Sequence, residues 1–286
     1  MNTRKMKRIP IITLLVILVV LVIWVIWGNT ALELNTYTIT SSKLPERFDG
    51  YRIAHISDLH NAQIGKENEK LLAMLREAEP DIIAITGDLI DSRNTDVDVA
   101  LQFAQEAAKI APSYYVTGNH EARVNEYNEL KSGLLSAGVI VLEDNSVEIC
   151  IAGEHVTLVG VNDLSFETDY LLGDSETVMQ STLSELLSNS DGFTILLSHR
   201  PELFDTYVDC EIDLVLSGHA HGGQFRIPFV GGVVAPNQGF FPKFDAGIYT
   251  EENTNMLVSR GIGNSIIPVR VNNRPEVILI ELNSNE

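Results

Sequence analysis

The sequence predicts an α/β fold: a parallel, crossover-connected sheet, then strands of a second sheet, with one transmembrane helix ahead of both. Three observations predict it. Ile9 to Trp27 is an uncharged run dominated by Ile, Leu, Val and Trp. Between Arg52 and Ala137, short β-favouring runs alternate with segments of helical spacing, the pattern of βαβ units. Beyond Val139 the chain turns to short apolar runs separated by Gly, Asp and Asn, the pattern of hairpins and further strands.

The 286 residues suffice for one α/β domain with a sizeable core. The net charge of -19 excludes a protein that grips a nucleic-acid polymer through a basic face. It does not exclude a nucleotide substrate, because bound metal cations reverse the local field. Cys150 and Cys210 are the only cysteines; two buried free thiols are expected rather than a disulfide framework or a thiolate metal site.

The N-terminus divides the chain. Residues 1–8 carry Arg4, Lys5, Lys7 and Arg8, and the apolar run of residues 9–27, about 19 residues, matches the hydrocarbon thickness of a bilayer. Trp24 and Trp27 near its far end suit the membrane interface. A cleaved signal peptide is the rival reading, but no Ala-x-Ala-like site follows Trp27. The expectation is a single-pass cell-membrane protein, with its basic flank cytoplasmic and its globular domain extracytoplasmic. Residues 28–45 form a stem or first strand, and 46–286 the globular domain.

Each later element follows from its local pattern. Arg52 to Ile56 is a strand ending in Asp58-x-His60, whose period-two spacing aims both side chains one way. Leu71, Leu72 and Leu75 mark a helix over 66–78, broken by Pro80 and Asp81. Ile82 to Thr86 is a strand delivering Gly87-Asp88, and 96–111 is helical with Val97, Leu101, Ala104 and Ala108 on one face. Ser113 to Thr117 runs into Gly118-Asn119-His120-Glu121, and a helix over 125–137 stops at Gly138. Val147–Ile151 and Val156–Gly160 flank a turn and predict a hairpin; residues 162–174 are irregular and 176–187 a surface helix. Two buried strands end at His199-Arg200 and at Gly218-His219-Ala220-His221. Residues 225–242 predict a long Gly/Pro/Phe-rich loop, and 247–250, 255–259 and 276–282 strands of the second sheet.

Of seven histidines, five (His60, His120, His199, His219, His221) fall in polar turns directly after apolar strands, as do Asp58, Asp88 and Asn119. A single histidine there is usually a satisfied polar residue. Five in equivalent positions, at the strand ends where α/β ligands collect, point to a shared site. Gly87 and Gly118 permit turns that a side chain would obstruct. Histidine nitrogens with carboxylate and amide oxygens, and no thiolate, suit Mn, Fe or Zn.

The set Asp58-x-His60, Gly87-Asp88, Gly118-Asn119-His120-Glu121, lone His199 and Gly218-His219-x-His221 resembles the calcineurin-like metallophosphoesterases, block for block and in order. Ser259-Arg-Gly-Ile-Gly-Asn-Ser and Asn273-Arg-Pro-Glu resemble a membrane- or wall-associated bacterial branch. The resemblance implies a two-sheet β-sandwich flanked by helices. It implies two divalent metal ions, one held by Asp58, His60 and His221, the other by Asn119, His199 and His219, with Asp88 bridging. It also implies His120 as a catalytic residue beside the metals.

The expected reaction is hydrolysis of a phosphodiester, pyrophosphate or phosphomonoester by a hydroxide between the ions. His120 either gives a proton to the leaving alkoxide or stabilises the phosphoryl oxygens. Glu121 either hydrogen-bonds near a ligand or is a helix N-terminal carboxylate. Arg200 either meets the substrate phosphate or pairs with a carboxylate. His55 and His155 are expected to be structural. The anchor adds lipid- or wall-linked phosphodiesters to the candidate substrates. The competing class is an anchored binding or scaffold protein using this fold without turnover, which predicts gaps in the ligand set; none occurs.

Overall fold

The computed structural model describes residues 3–166, 175–188, 190–264 and 267–285. Its strands are β1 (Glu33–Ser41), β2 (Tyr51–Ile56), β3 (Ile82–Thr86), β4 (Ser113–Val116), β5 (Ile140–Val141), β6 (Asn145–Ile151), β7 (Glu154–Gly160), β8 (Thr194–Leu197), β9 (Leu214–Ser217), β10 (Arg226–Ile227), β11 (Gly231–Gly232), β12 (Val234–Ala235), β13 (Gly239–Phe240), β14 (Gly247–Glu251), β15 (Thr254–Val258) and β16 (Glu276–Ser284). The helices are α1 (Thr3–Thr30), α2 (Glu69–Ala78), α3 (Val97–Ala107), α4 (Tyr127–Ser136), α5 (Ser175–Leu186) and α6 (Phe204–Asp209).

Two six-stranded sheets face each other. The first has the order β1-β16-β2-β3-β4-β5, the second β14-β15-β9-β8-β7-β6. Between them lies an apolar layer including Phe48, Ile53, Ala84, Val116, Leu158, Ile195, Leu216 and Ile280. The outer face of the first sheet is covered by α2, α3 and α4 through Leu71, Leu75, Phe103, Leu130 and Leu134. The outer face of the second is covered by α5 and α6 through Met179, Leu183, Phe204 and Tyr207. Strands buried on both faces read as continuous apolar runs rather than alternating ones, which is why β3, β8 and β9 carry scarcely a polar residue.

Helix stops and starts follow local chemistry. The Asp96 side chain accepts the Val99 N–H at the start of α3. Gly138, at φ +86°, ends the run after α4 in the left-handed conformation that glycine adopts without a Cβ penalty. The β6–β7 hairpin turns at Ala152-Gly153, both with positive φ, as a two-residue hairpin requires.

Register positions the site. Ile56 pairs with Ile85 at the end of the β2–β3 ladder, and Thr86 pairs with Val116. The three parallel strands therefore end together, so Asp58, Asp88 and Asn119 emerge side by side. In the second sheet Leu197 pairs with Leu216, which brings His199 beside His219.

Three sequence expectations need correction. β16 does not belong to the second sheet: it lies between β1 and β2 in the first, parallel to one and antiparallel to the other. Its apolar pattern reports burial on both faces, and that is the same in either sheet. Residues 225–242 are not a plain loop but two short antiparallel ribbons, β10–β11 and β12–β13. Both cysteines are free, but Cys150 is exposed rather than buried and Cys210 only partly covered.

Residues 33–41 are a full edge strand of the first sheet. Ahead of it, Ile12–Thr30 is long and apolar enough to cross a membrane, with mean hydropathy 2.7 and none of the span buried in the protein. The side chains of Arg4, Lys5, Lys7 and Arg8, and residues 167–174 of the expected irregular segment, lie outside the described residues.

Candidate dinuclear metal centre

The turns after the strands are sharply bent. Asp58, His60, Asp88, His219 and His221 all have positive φ, between 46° and 67°. Backbone of this kind costs of order 1–3 kcal/mol per residue and persists where surrounding structure enforces it. Here the turns enforce one another. The Asp58 N–H donates to Gly87 O at 3.1 Å and the His60 N–H to Asp88 O at 2.9 Å. The Gly263 N–H donates to Asp58 O at 2.7 Å. Gly87 and Gly118 pack so closely that a Cβ on Gly87 would collide with the Gly118 backbone, and one on Gly118 with the Asp88 carboxylate. A Cβ on Gly218 would strike Ser57 and Asp58.

On these turns the seven expected ligands converge. His60 Nε2 lies 3.2 Å from His221 Nε2, 3.7 Å from Asp58 Oδ1 and 3.5 Å from Asp88 Oδ2. His221 Nε2 is 3.4 Å from Asp58 Oδ1. On the other side His199 Nε2 lies 3.3 Å from the same Asp88 Oδ2, 3.1 Å from His219 Nδ1 and 3.3 Å from Asn119 Oδ1. All are buried. Donors bonded to one ion at about 2.0–2.2 Å must lie within roughly 4.4 Å of each other, and each of these distances meets that test.

Each carboxylate is aimed by the backbone of another turn. The His219 N–H donates to both oxygens of Asp58, at 3.2 and 3.1 Å, and the His120 N–H to Asp88 Oδ1 at 2.8 Å. Glu121 accepts from the Asp88, Gly118 and Ile90 amides, at 2.9, 2.8 and 3.3 Å. Of its two sequence readings, bracing the ligand turns is the one seen. Burial and the Asp88 charge push Glu121 up to about 7, against those amides.

The electrostatics call for cations. Burial disfavours charge on His199, yet Asp88 outweighs it and the ring is pushed up to about 10. Burial also opposes ionisation of Asp88, but His199, His60 and His120 hold its carboxyl well below the usual range. Burial holds His219 and His221 down at about 3, so both are neutral and offer lone pairs. His60 Nδ1, His221 Nδ1 and His219 Nε2 are buried without a partner among the described residues. His199 Nδ1 lies 2.7 Å from Thr86 O, an acceptor, so that nitrogen keeps its proton, and Nε2, facing Asp88, would give up its own proton to ligate. The donor set fits two divalent ions.

His120 stands beside the cluster, its Nε2 4.0 Å from Asp88 Oδ2. The Ser92 N–H donates to His120 Nδ1 at 2.9 Å, and an amide only donates, so the ring proton sits on Nε2 and faces the cluster. Burial lowers His120 to about 4. It is a neutral hydrogen-bond donor at neutral pH.

Arg200 forms a two-point pair with Asp163, at 2.6 and 2.8 Å, and reaches Glu202 and Ser165. Its guanidinium is thus bound to carboxylates, the alternative to a phosphate contact. His55 is buried with Nε2 2.8 Å from Thr86 Oγ1, and His155 pairs with Asp191.

Sequence reasoning missed Asp91, Ser92 and Arg270. Asp91 lies with His60 and His120 in a third group of potential ligands, but it also accepts from Arg93. Its signal was its place three residues after Asp88. Arg270 is fully buried and donates to Asn264 Oδ1, Arg260 O and Gly263 O. It pins the 259–264 segment, whose Ile262 and Gly263 amides hold the Asp58 turn. Asn273 donates to His221 O at 2.6 Å. The two tail motifs thus support the ligand turns from behind.

The family model for calcineurin-like phosphoesterases matches residues 51–223. The uncharacterized metallophosphoesterase YkuE of Bacillus subtilis is 29% identical over 258 residues, 88% of this chain and 86% of that protein. The phosphodiesterase YaeI of Escherichia coli is 30% identical over 244 residues, 81% of this chain and 82% of that one. A Bos taurus transmembrane protein with a metallophosphoesterase domain is 28% identical over 85% of this chain and 55% of its own length. The fold, the convergent donors and these likenesses make the chain a member of the calcineurin-like phosphoesterase family, a metal-dependent phosphoric ester hydrolase.

Proposed function

We propose that the protein is a membrane-anchored phosphoesterase, with Asp88 bridging two divalent ions and acting on a phosphodiester, pyrophosphate or phosphomonoester. The observation that carries this is the shared carboxylate. Asp88 Oδ2 lies 3.5 Å from His60 Nε2 and 3.3 Å from His199 Nε2, so the two donor groups meet on one oxygen. Asp58, His60 and His221 would hold one ion, and Asn119, His199 and His219 the other. The ions, Mn, Fe or Zn, supply a nucleophile near neutral pH and positive charge for the phosphoryl oxygens.

The chain's own residues do the rest. His120 presents Nε2–H toward the cluster and stabilises negative charge on a phosphoryl oxygen as a neutral donor. This role is preferred over proton donation to the leaving group, because a neutral imidazole gives up its last proton only at great cost. Glu121 and the His219 amide keep the carboxylates aimed before substrate arrives. The YaeI likeness favours diesters among the candidates.

Helix α1 supports anchoring in a cell membrane, with the catalytic domain on the extracytoplasmic side. The test is turnover of bis(p-nitrophenyl) phosphate, p-nitrophenyl phosphate and a pyrophosphate by full-length protein, with metal content measured in parallel. The expected result is metal-dependent hydrolysis, lost on chelation and restored by one of the three metals. Undiminished turnover by metal-free protein would overturn it.

A further inference from the structure

The ribbons β10–β11 and β12–β13 carry apolar side chains on the outside of the molecule. Ile227, Val230, Phe240 and Phe241 are 46–78% exposed, and Phe229 wholly so. Phe229 and Phe241 also sit at positive φ, 67° and 55°, where Gly or Asn would cost less. Neither turn chemistry nor packing accounts for aromatic side chains at these positions.

The ribbons are rooted in the metal centre and touch the anchor. The Val233 N–H donates to Gly223 O and Phe225 O, two and four residues past His221, and the Phe241 N–H donates to Val233 O. Phe225 bridges Val271, and the Arg226 N–H donates to Val271 O at 2.9 Å. Val271 and Asn272 line a cavity of about 230 Å³ with Trp24, Val25 and Trp27 of α1. Asn29 and Arg270 exchange hydrogen bonds at 2.7 and 3.0 Å. The domain therefore sits against the last turns of α1, and the Phe229 tip lies two residues, under about 10 Å, beyond β10.

The same junction gathers positive charge in a strongly acidic chain. Arg260, Arg270 and Arg274 line the cavity beside Glu33. Arg270 is buried and Arg260 pairs with Glu33 and Glu276, which leaves Arg274, partly exposed and 3.7 Å from Glu33, with its guanidinium 4.7 Å over the Trp27 ring. Arginine beside an indole at a span's end is placed for anionic headgroups.

We propose that the paired ribbons are a second membrane contact. Phe229, with Ile227, Val230, Phe240 and Phe241, enters the leaflet that α1 leaves, so that the metal centre works at the lipid surface on a phosphoester carried by a bilayer lipid. This rests on reading α1 as a membrane span. A second protein over the patch is the competing occupant. The bilayer is favoured because β10 is tied through Val271 to the cavity that the end of α1 lines, and Arg274 beside Trp27 suits an anionic headgroup.

The test uses full-length protein in vesicles of phosphatidylcholine and phosphatidylglycerol. A Phe229→Cys variant, in a Cys150→Ser, Cys210→Ser background, carries an environment-sensitive fluorophore, with Glu148→Cys on exposed β6 as the reference. Spin-labelled lipid is expected to quench the label at 229 and spare the label at 148. Equal quenching at both sites, or a 229 label shielded from lipid quencher and aqueous iodide alike, overturns the proposal. Alkaline carbonate extraction reads the anchor separately, and release of the protein overturns the anchor and the proposal together.

A Phe229→Ser, Phe240→Ser, Phe241→Ser variant is expected to keep its turnover of soluble bis(p-nitrophenyl) phosphate. It should lose about tenfold on the phosphodiester of phosphatidylglycerol in vesicles, since each exposed ring removed forfeits lipid burial. An equal loss on both substrates overturns the proposal. Hydrolysis of neither by the unaltered protein would sink the hydrolase reading and the lipid-substrate part of the proposal, leaving quenching to decide membrane contact.

Discussion

The metal centre and the ribbons beside it invert the usual rule for what lies inside a protein. At the centre, three acidic and five histidine side chains are buried within a few ångströms of one another, counting Glu121 with Asp58 and Asp88. On the ribbons, aromatic side chains stand in the open. Buried charge is tolerated only where it is paired, hydrogen-bonded or neutralised by a cation. Exposed apolar surface persists where something covers it in use. The difference teaches that both departures serve ligands, one for ions and the other for a surface.

The sharpest way to break the comparison is Asp88→Ala. If one carboxylate holds both ions, turnover falls by at least about 10³-fold and metal analysis shows both sites depleted. Retention of one full equivalent of metal would show that the two groups are independent. Next comes His120→Ala, expected to lower kcat by roughly 10²-fold with metal content unchanged. His120→Asn, which keeps a donor, should recover part of the loss.

Glu121→Gln probes the bracing of the turns. It keeps the shape but weakens acceptance from three amides, and metal affinity or activity should fall by about 10–100-fold by metal titration.

Acid should act on His55 in a predictable direction. Burial lowers its pKa from 6.5 to about 3, so the folded protein holds it neutral while the unfolded chain protonates first. Its contribution is intact above pH 6.5 and is lost as pH falls toward 3, at about 1.4 kcal/mol per pH unit. Chemical unfolding of metal-free protein should show this slope shallower in His55→Gln. Smallest of all, Phe240→Ser should shift folding stability by no more than about 0.5 kcal/mol, since the residue is 78% exposed. The same measurement on Phe48→Ala, between the sheets, should show a loss of about 3–5 kcal/mol.

Much of this was legible before any coordinates. Asp58 and His60 follow β2, Asp88 follows β3 and Asn119 follows β4, and β3 is legible as a strand because burial on both faces makes it apolar up to its last residue. The β6–β7 hairpin was legible from Ala152-Gly153. Ser92 is not legible, because nothing local separates a backbone amide near a site from one in an ordinary turn, and Asp91 offers only its place three residues after Asp88. The ribbons are not legible in the sequence, because strands of two residues leave no periodicity to detect.

By itself, the sequence determined the inventory of donors, their order along the chain and the parallel βαβ layout that gathers them at one edge. These are properties of residue type and short-range spacing. Only the tertiary structure decided that β16 enters the first sheet, that Arg270 and Asn273 brace the Asp58 and His221 turns, and which nitrogen of His120 and His199 carries the proton. Those outcomes depend on partners more than a hundred residues away, or on one backbone amide or carbonyl. A local pattern records how a residue is buried, not what it is buried against.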